Sequence, residues 1–132
     1  MKMMCMVDHT IVHFEIPAKY AKKLIKFYSD LFGWKMKKVQ WMDYWLVETV
    51  PINKQGQPIR PGVNGGLYHK EKETTNMTQM NYINVESIDD YMEKIKALGG
   101  KIIAPKQEIP NTGWTAIAVD PEGNYFGLFQ RK

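Results

Sequence analysis

The order strand, helix, glycine occurs twice in this chain, and that repetition leaves few folds open to it. Residues 10–16, TIVHFEI, alternate in character: Ile11, His13 and Glu15 share one face, and Val12, Phe14 and Ile16 share the greasier one. The greasier face should meet a helix, and Pro17 is expected to end the strand. From Ala21 onward, Ala21, Leu24, Ile25, Tyr28, Leu31 and Phe32 draw one helical stripe, with Lys19, Lys22, Lys23 and Lys26 on the other side. Gly33 fits the left-handed residue just past a helix end. The second copy begins with a strand over residues 77–85. Ser87 then caps a helix, with Asp90 three residues on, and its stripe is Ile88, Tyr91, Met92, Ile95 and Leu98, stopped by Gly99 and Gly100. Ile16 and Val85 close the two first strands, Gly33 and Gly99 the two helices, and the two pairs are separated by nearly the same length of chain.

Each copy continues in strands. In the first, residues 34–39 and 44–50 are strands joined by a turn at 40–43, residues 51–62 (PINKQGQPIRPG) are a loop, and 65–69 is a short strand. In the second, residues 101–104 form a strand and 105–112 its loop. Two apolar runs follow, 114–119 and 124–129, reversed by Asp-Pro-Glu-Gly, in which Pro121 presets a turn dihedral. The expectation is one domain over 1–132, made of modules 8–70 and 77–131 joined by the polar linker 71–76 (EKETTN). Each module has one sheet face that its own helix does not cover, so two must pair to shelter those faces.

Composition removes several function classes. Hydrophobic residues at 44% and charged residues at 24% describe an ordinary globular chain. The net charge of +4 rests on lysines, with Arg60 and Arg131 the two arginines, which reads as solvated helix surface and not as a nucleic-acid interface. The single cysteine, Cys5, excludes an intrachain disulfide and reads as an idle thiol. Asp8 and His9 interrupt the methionine-rich start before a signal-like apolar core forms, and no run is long enough to cross a membrane, so a cytoplasmic location is the expectation. There is no GxGxxG, phosphate loop, HExxH or GxSxG elbow, and Ser29 and Ser87 sit in a helix and at a cap.

The segments FYSDLFGW (27–34), VNGG (63–66), YINVESIDD (82–90), ALGG (97–100) and IPNTGWTAIAVDPEGNYFGLF (109–129) resemble the vicinal oxygen chelate superfamily of glyoxalase I, bleomycin resistance proteins and extradiol dioxygenases. The likeness is to its short glyoxalase-like group. It implies an α+β fold of two tandem βαβββ modules whose curled mixed sheets surround a shared cleft, with helices outside. It also implies metal ligands at positions held here by Ile11, Met80 and Gly127, and one near residues 66–68. Ile, Met and Gly donate no oxygen or nitrogen side-chain ligand, so neither metal nor other cofactor is expected.

His13 lies two residues beyond Ile11 and shares its cleft face with Glu15, and His69 is the nearby candidate for a third polar group. His13 and Glu15 are the candidate acid and base. His9 is read as solvated. Through the resemblance, Tyr82, Asn84, Tyr125, Gly127 and Phe129 face the cleft, and Trp45 and Trp114 either line it or join the core. Gly127 is expected to leave open space between rings for a ligand.

The expected function is metal-independent binding of a small apolar or aromatic organic molecule. The alternatives are a metal-free lyase, isomerase or epimerase using His13 or Glu15, and a structural or partner-binding protein with a filled cleft. Exposed sheet edges, together with a family that pairs modules within or between chains, predict a homodimer.

Overall fold

The computed structural model describes residues 7–70 and 78–132. Cys5, the linker 71–76 and the first residue of the second module at 77 lie outside the described residues. The chain divides into two compact units: Val12–Met80, and Asn81–Lys132 with the described residues ahead of Val12. Those leading residues were expected in the first module. They join the second unit because the Asn84 amide donates to Thr10 O (2.9 Å), and the His9 ring bonds Asn84 O (3.0 Å) and the Tyr91 hydroxyl (2.8 Å). His9 is exposed, as read, and in addition tethers this segment to Asn84 and Tyr91.

The first unit runs β1 (Ile11–Ala18), α1 (Ala21–Phe32), β2 (Lys35–Lys38), β3 (Tyr44–Glu48) and β4 (Gly65–His69). Its sheet has the order β2-β3-β4-β1, with β1 parallel to β4 and the other pairs antiparallel. The alternation in β1 works as read: Phe14, Ile16 and Ala18 are buried with Val47 and Leu67 against Ala21, Leu24, Ile25 and Tyr28 of α1. The stripe stops short of its predicted length, since Leu31 and Phe32 stay more than half exposed in the last turn, where Phe32 leans on Trp34. Gly33 closes the helix in the left-handed conformation at φ 72°. Pro17, however, does not end β1. It pairs with Tyr68 near the strand's end, where a missing N–H is tolerated, and the next carbonyl, Ala18 O, still accepts from Lys70 N (2.8 Å).

The second unit contributes β5 (Met80–Asn84, whose first residue falls at the boundary with the first unit), α2 (Ile88–Ala97), β6 (Lys101–Ile109), β7 (Gly113–Val119) and β8 (Tyr125–Arg131). Its order is β5-β8-β7-β6, with β5 parallel to β8, so each unit is a βαβββ module with a mixed sheet and a helix against one face. Val85, Ile88, Ala116 and Leu128 form its core with Tyr91, Met92 and Ile95 of α2. Ser87 Oγ accepts from Asp90 N (3.2 Å) as the cap predicted, whereas Leu98, assigned to the stripe, is 79% exposed at the helix end. The segment read as a loop after residue 104 is mostly strand. β6 continues through Pro105 to Ile109 because it is an edge strand whose register shifts, between Ile102 and Ala104 and between Ala104 and Gln107, accommodate a residue without an N–H.

The Asp-Pro-Glu-Gly reversal is held by one carboxylate. Asp120 accepts from the Asn124 side chain, the Asn124 amide and the Glu122 amide, each at 2.9 Å. Those bonds, the Asn124 side chain first, lower the Asp120 pKa from its ordinary 3.8. Because the folded value is the lower one, the turn's contribution is present above the ordinary carboxylate range and is lost as pH falls through the folded pKa. We expect Asp120→Ala to be less stable than the parent at pH 7, with the difference closing in denaturant titrations at progressively lower pH. A constant difference down to the acid limit would show that this carboxylate does not couple to folding.

Candidate functional site

The face of the first sheet turned away from α1 carries the polar cluster. β1 places His13 and Glu15 there by alternation, and β4 places Gly66 and Tyr68 beside them, Glu15 pairing with Gly66. Tyr44 opens β3 opposite Tyr68, and its ring passes over Gly66 to reach β1. A Cβ at position 66 would lie 1.8 Å from the Tyr44 hydroxyl, so only glycine leaves this path open. The hydroxyl stands 2.8 Å from His13 Nε2 and 2.8 Å from Glu15 Oε2, while that nitrogen and that oxygen are 3.8 Å apart.

The bond directions follow from counting hydrogens. A tyrosine hydroxyl has one proton, and an ionised carboxylate only accepts, so with Tyr44 donating to Glu15 the His13 Nε2 must carry a hydrogen and donate to Tyr44. The result is a directed chain, imidazole to phenol to carboxylate. The His13 and Glu15 side chains are 31% and 17% exposed. Tyr68 lies alongside, its pKa raised first by burial and then by the negative charge of Glu15, which keeps its hydroxyl protonated.

His69 does not join this cluster, because it alternates with Tyr68 and falls on the other face of β4 with Leu67. Trp45, whose register the sequence left open, pairs with Leu67 and packs against the α1-side core. Trp114 likewise packs against the α2-side core of its own unit. Tyr44 itself escaped the sequence reading. Its position at the start of a strand was visible, but its pairing with Tyr68, which lays its ring over Gly66, depended on a register that no local pattern encodes.

In the second unit Tyr82, Gly127 and Ile117 are register partners across β5, β8 and β7, as are Asn84, Phe129 and Thr115. With Tyr125 they share the sheet face opposite α2. Gly127 does not open a ligand space. The Tyr82 ring lies directly on it, 6% exposed, and a Cβ there would meet ring carbons at 2.4 and 2.5 Å. The expectation of open space fails because the parallel register sets Tyr82 beside Gly127, which sequence separation concealed. Tyr125 and Phe129 are half-buried, and the Arg131 guanidinium sits 5.7 Å from the Phe129 ring centre.

The fold and this arrangement define a class, and direct comparison agrees. The chain belongs to the Glyoxalase/Bleomycin resistance protein/Dioxygenase superfamily, which it matches over residues 10–128. It is 29% identical over 121 residues to a glyoxylase-like domain-containing protein of Didymella fabae, covering 89% of this chain and 90% of that one. Among solved structures it is similar to methylmalonyl-CoA epimerase from Mycobacterium tuberculosis (TM-score 0.67, 12% identity, 100% of this chain and 93% of that one). It is also similar to an NAD-dependent benzaldehyde dehydrogenase from Legionella pneumophila (TM-score 0.58, 19% identity, 91% and 98%). At such identities the structural likeness establishes the fold.

The residues do not fit the metal that the superfamily implies. Among the described residues no three His, Cys, Asp or Glu side chains gather as a ligand set. Two of the implied ligand regions hold Gly66 and Gly127, and each glycine lies under a tyrosine ring of its own module, so a longer donor there would have to displace that ring.

Proposed function

We propose that this protein holds a small organic molecule on the face of its first sheet opposite α1, without a metal, using the tyrosine-bridged His13–Glu15 pair as the polar anchor. The observation that supports the reading is the Tyr44 hydroxyl placed 2.8 Å from both partners. The Tyr68 hydroxyl, kept protonated, beside the Glu15 carboxylate suits a molecule that offers a carbonyl or hydroxyl beside an apolar body. Leu46, 43% exposed on the same face, gives that body a surface.

A second reading, metal-free isomerase, epimerase or lyase, is favoured by the direction of the hydrogen-bond chain. Glu15, at its accepting end, can take a proton from carbon and, once protonated, return it to the same or a neighbouring carbon, while His13 holds the Tyr44 phenol against that carboxylate.

The test is a thermal-shift screen of carbonyl and carboxylic compounds on parent and Tyr44→Phe protein. Phe keeps the ring over Gly66 and removes only the hydroxyl, so the fold should persist. The best compound should bind roughly tenfold more weakly to the variant, the scale of losing one charge-assisted hydrogen bond. Equal affinity would refute the anchor. Incubation of that compound in D2O then separates the readings: deuterium entering at carbon, and not doing so with Glu15→Gln, supports the enzyme, whereas binding without exchange supports the binding protein.

A further inference from the structure

On the other face of the first sheet, between α1 and the β2–β3 turn, lies an open groove of about 680 Å³. The charges of its described lining are one-sided. Among the described residues Lys19, Lys22, Lys23 and Lys38 line it, with Asp43 the one carboxylate. Asp43 lies 3.9 Å from Lys38 Nζ, which also donates to the Val39 and Met42 carbonyls. Lys22 and Lys23, by contrast, have no carboxylate within ion-pair distance among the described residues. Lys23 Nζ lies 5.5 Å from the Tyr20 ring centre.

The floor and rim are aromatic. Trp45 and His69 line the groove, and Tyr20 is 63% exposed at its edge. The Lys38 ammonium sits over the Trp45 ring, 5.8 Å from its centre, so a flat anionic ligand on this indole would take the place of that cation over the ring and keep it as a counter-charge. Like charges gathered around an open concavity repel one another and attract multivalent anions, while exposed rings take a flat π-system.

We infer that this groove is a second ligand site, for a molecule that joins a flat aromatic group to two or more negative charges, as a nucleoside diphosphate does. The rings would stack the base and the lysines would neutralise the phosphates, with His69 available as a donor. The volume lies within the range of small-molecule sites. This site is independent of the His13 cluster: Trp45 and His69 alternate with Tyr44 and Tyr68 and therefore occupy the opposite face.

Calorimetric titration with ADP, adenosine and inorganic pyrophosphate tests it. At low salt ADP should bind with a Kd of about 10–100 μM, a modest affinity for an open groove. Adenosine and pyrophosphate should each bind at least tenfold more weakly, and Lys22→Gln/Lys23→Gln should weaken ADP at least tenfold. Lys94→Gln/Lys96→Gln on α2 removes the same charge elsewhere and should leave ADP binding within twofold. The inference is overturned if ADP binds no more tightly than pyrophosphate, if both double variants weaken it equally, or if the parent shows no binding below millimolar ADP. The first two results would mean attraction to net charge alone.

Discussion

Gly127→Leu is expected to lower stability by about 3 kcal/mol, at the upper end of what overpacking a close-packed site costs. The first added carbon already falls 2.4 Å from the body of the Tyr82 ring, and the rest of the side chain must enter the volume that ring occupies. Tyr82 is nearly sealed, so it has little freedom to move aside. For a chain of this size the loss corresponds to a fall in melting temperature of roughly 10 °C. Gly127→Ala should do the same to a smaller degree, and its penalty should shrink when Tyr82→Ala is made in the same chain, since the collision is between those two positions. Melting curves of the four variants decide the matter. A Gly127→Leu protein as stable as the parent would mean that the space beside Tyr82 is open after all.

Gly66→Ala should behave differently, although the geometry looks alike. There the new methyl collides with the far end of Tyr44, 1.8 Å from its hydroxyl and 2.1 Å from the carbon bearing it, and a side-chain tip can swing away at small cost to the fold. What is lost is the phenol bridge between His13 and Glu15, whose nitrogen and oxygen are 3.8 Å apart. If the site transfers protons, the exchange rate at substrate carbon should drop about 100-fold or more, the lower end of what a positioned acid or base contributes. Tyr44→Phe should produce a similar drop, and the double variant should be no worse than either, because both remove one hydroxyl from one place. The His13 ring resonances in NMR spectra should shift in both single variants. Full exchange activity in Gly66→Ala would remove Tyr44 from the chemistry.

At these two glycines local pattern no longer determines what is met. Local patterns were sufficient for the elements. The period-two alternation of β1, the stripe from Ala21 to Tyr28, the Ser87 cap and the Asp-Pro-Glu-Gly reversal each depend on residues close together in sequence, and each is present as read. The repeat gave the two βαβββ modules for the same reason, and the absence of donors at Ile11, Met80 and Gly127 was visible in the residue types alone. Errors fell at element ends and at an edge strand. Leu31, Phe32 and Leu98 overrun the sheet that would cover them, and register shifts carried β6 past Pro105.

The site was half legible. Alternation put His13 and Glu15 on one face, because that depends only on neighbours two residues apart. That Tyr44 reaches them across Gly66, and that Tyr82 fills the space over Gly127, depends on strand register between segments tens of residues apart. Each strand has the same period whatever its partner, so the sequence by itself determined which residues share a face, and only the tertiary structure decided which of them meet.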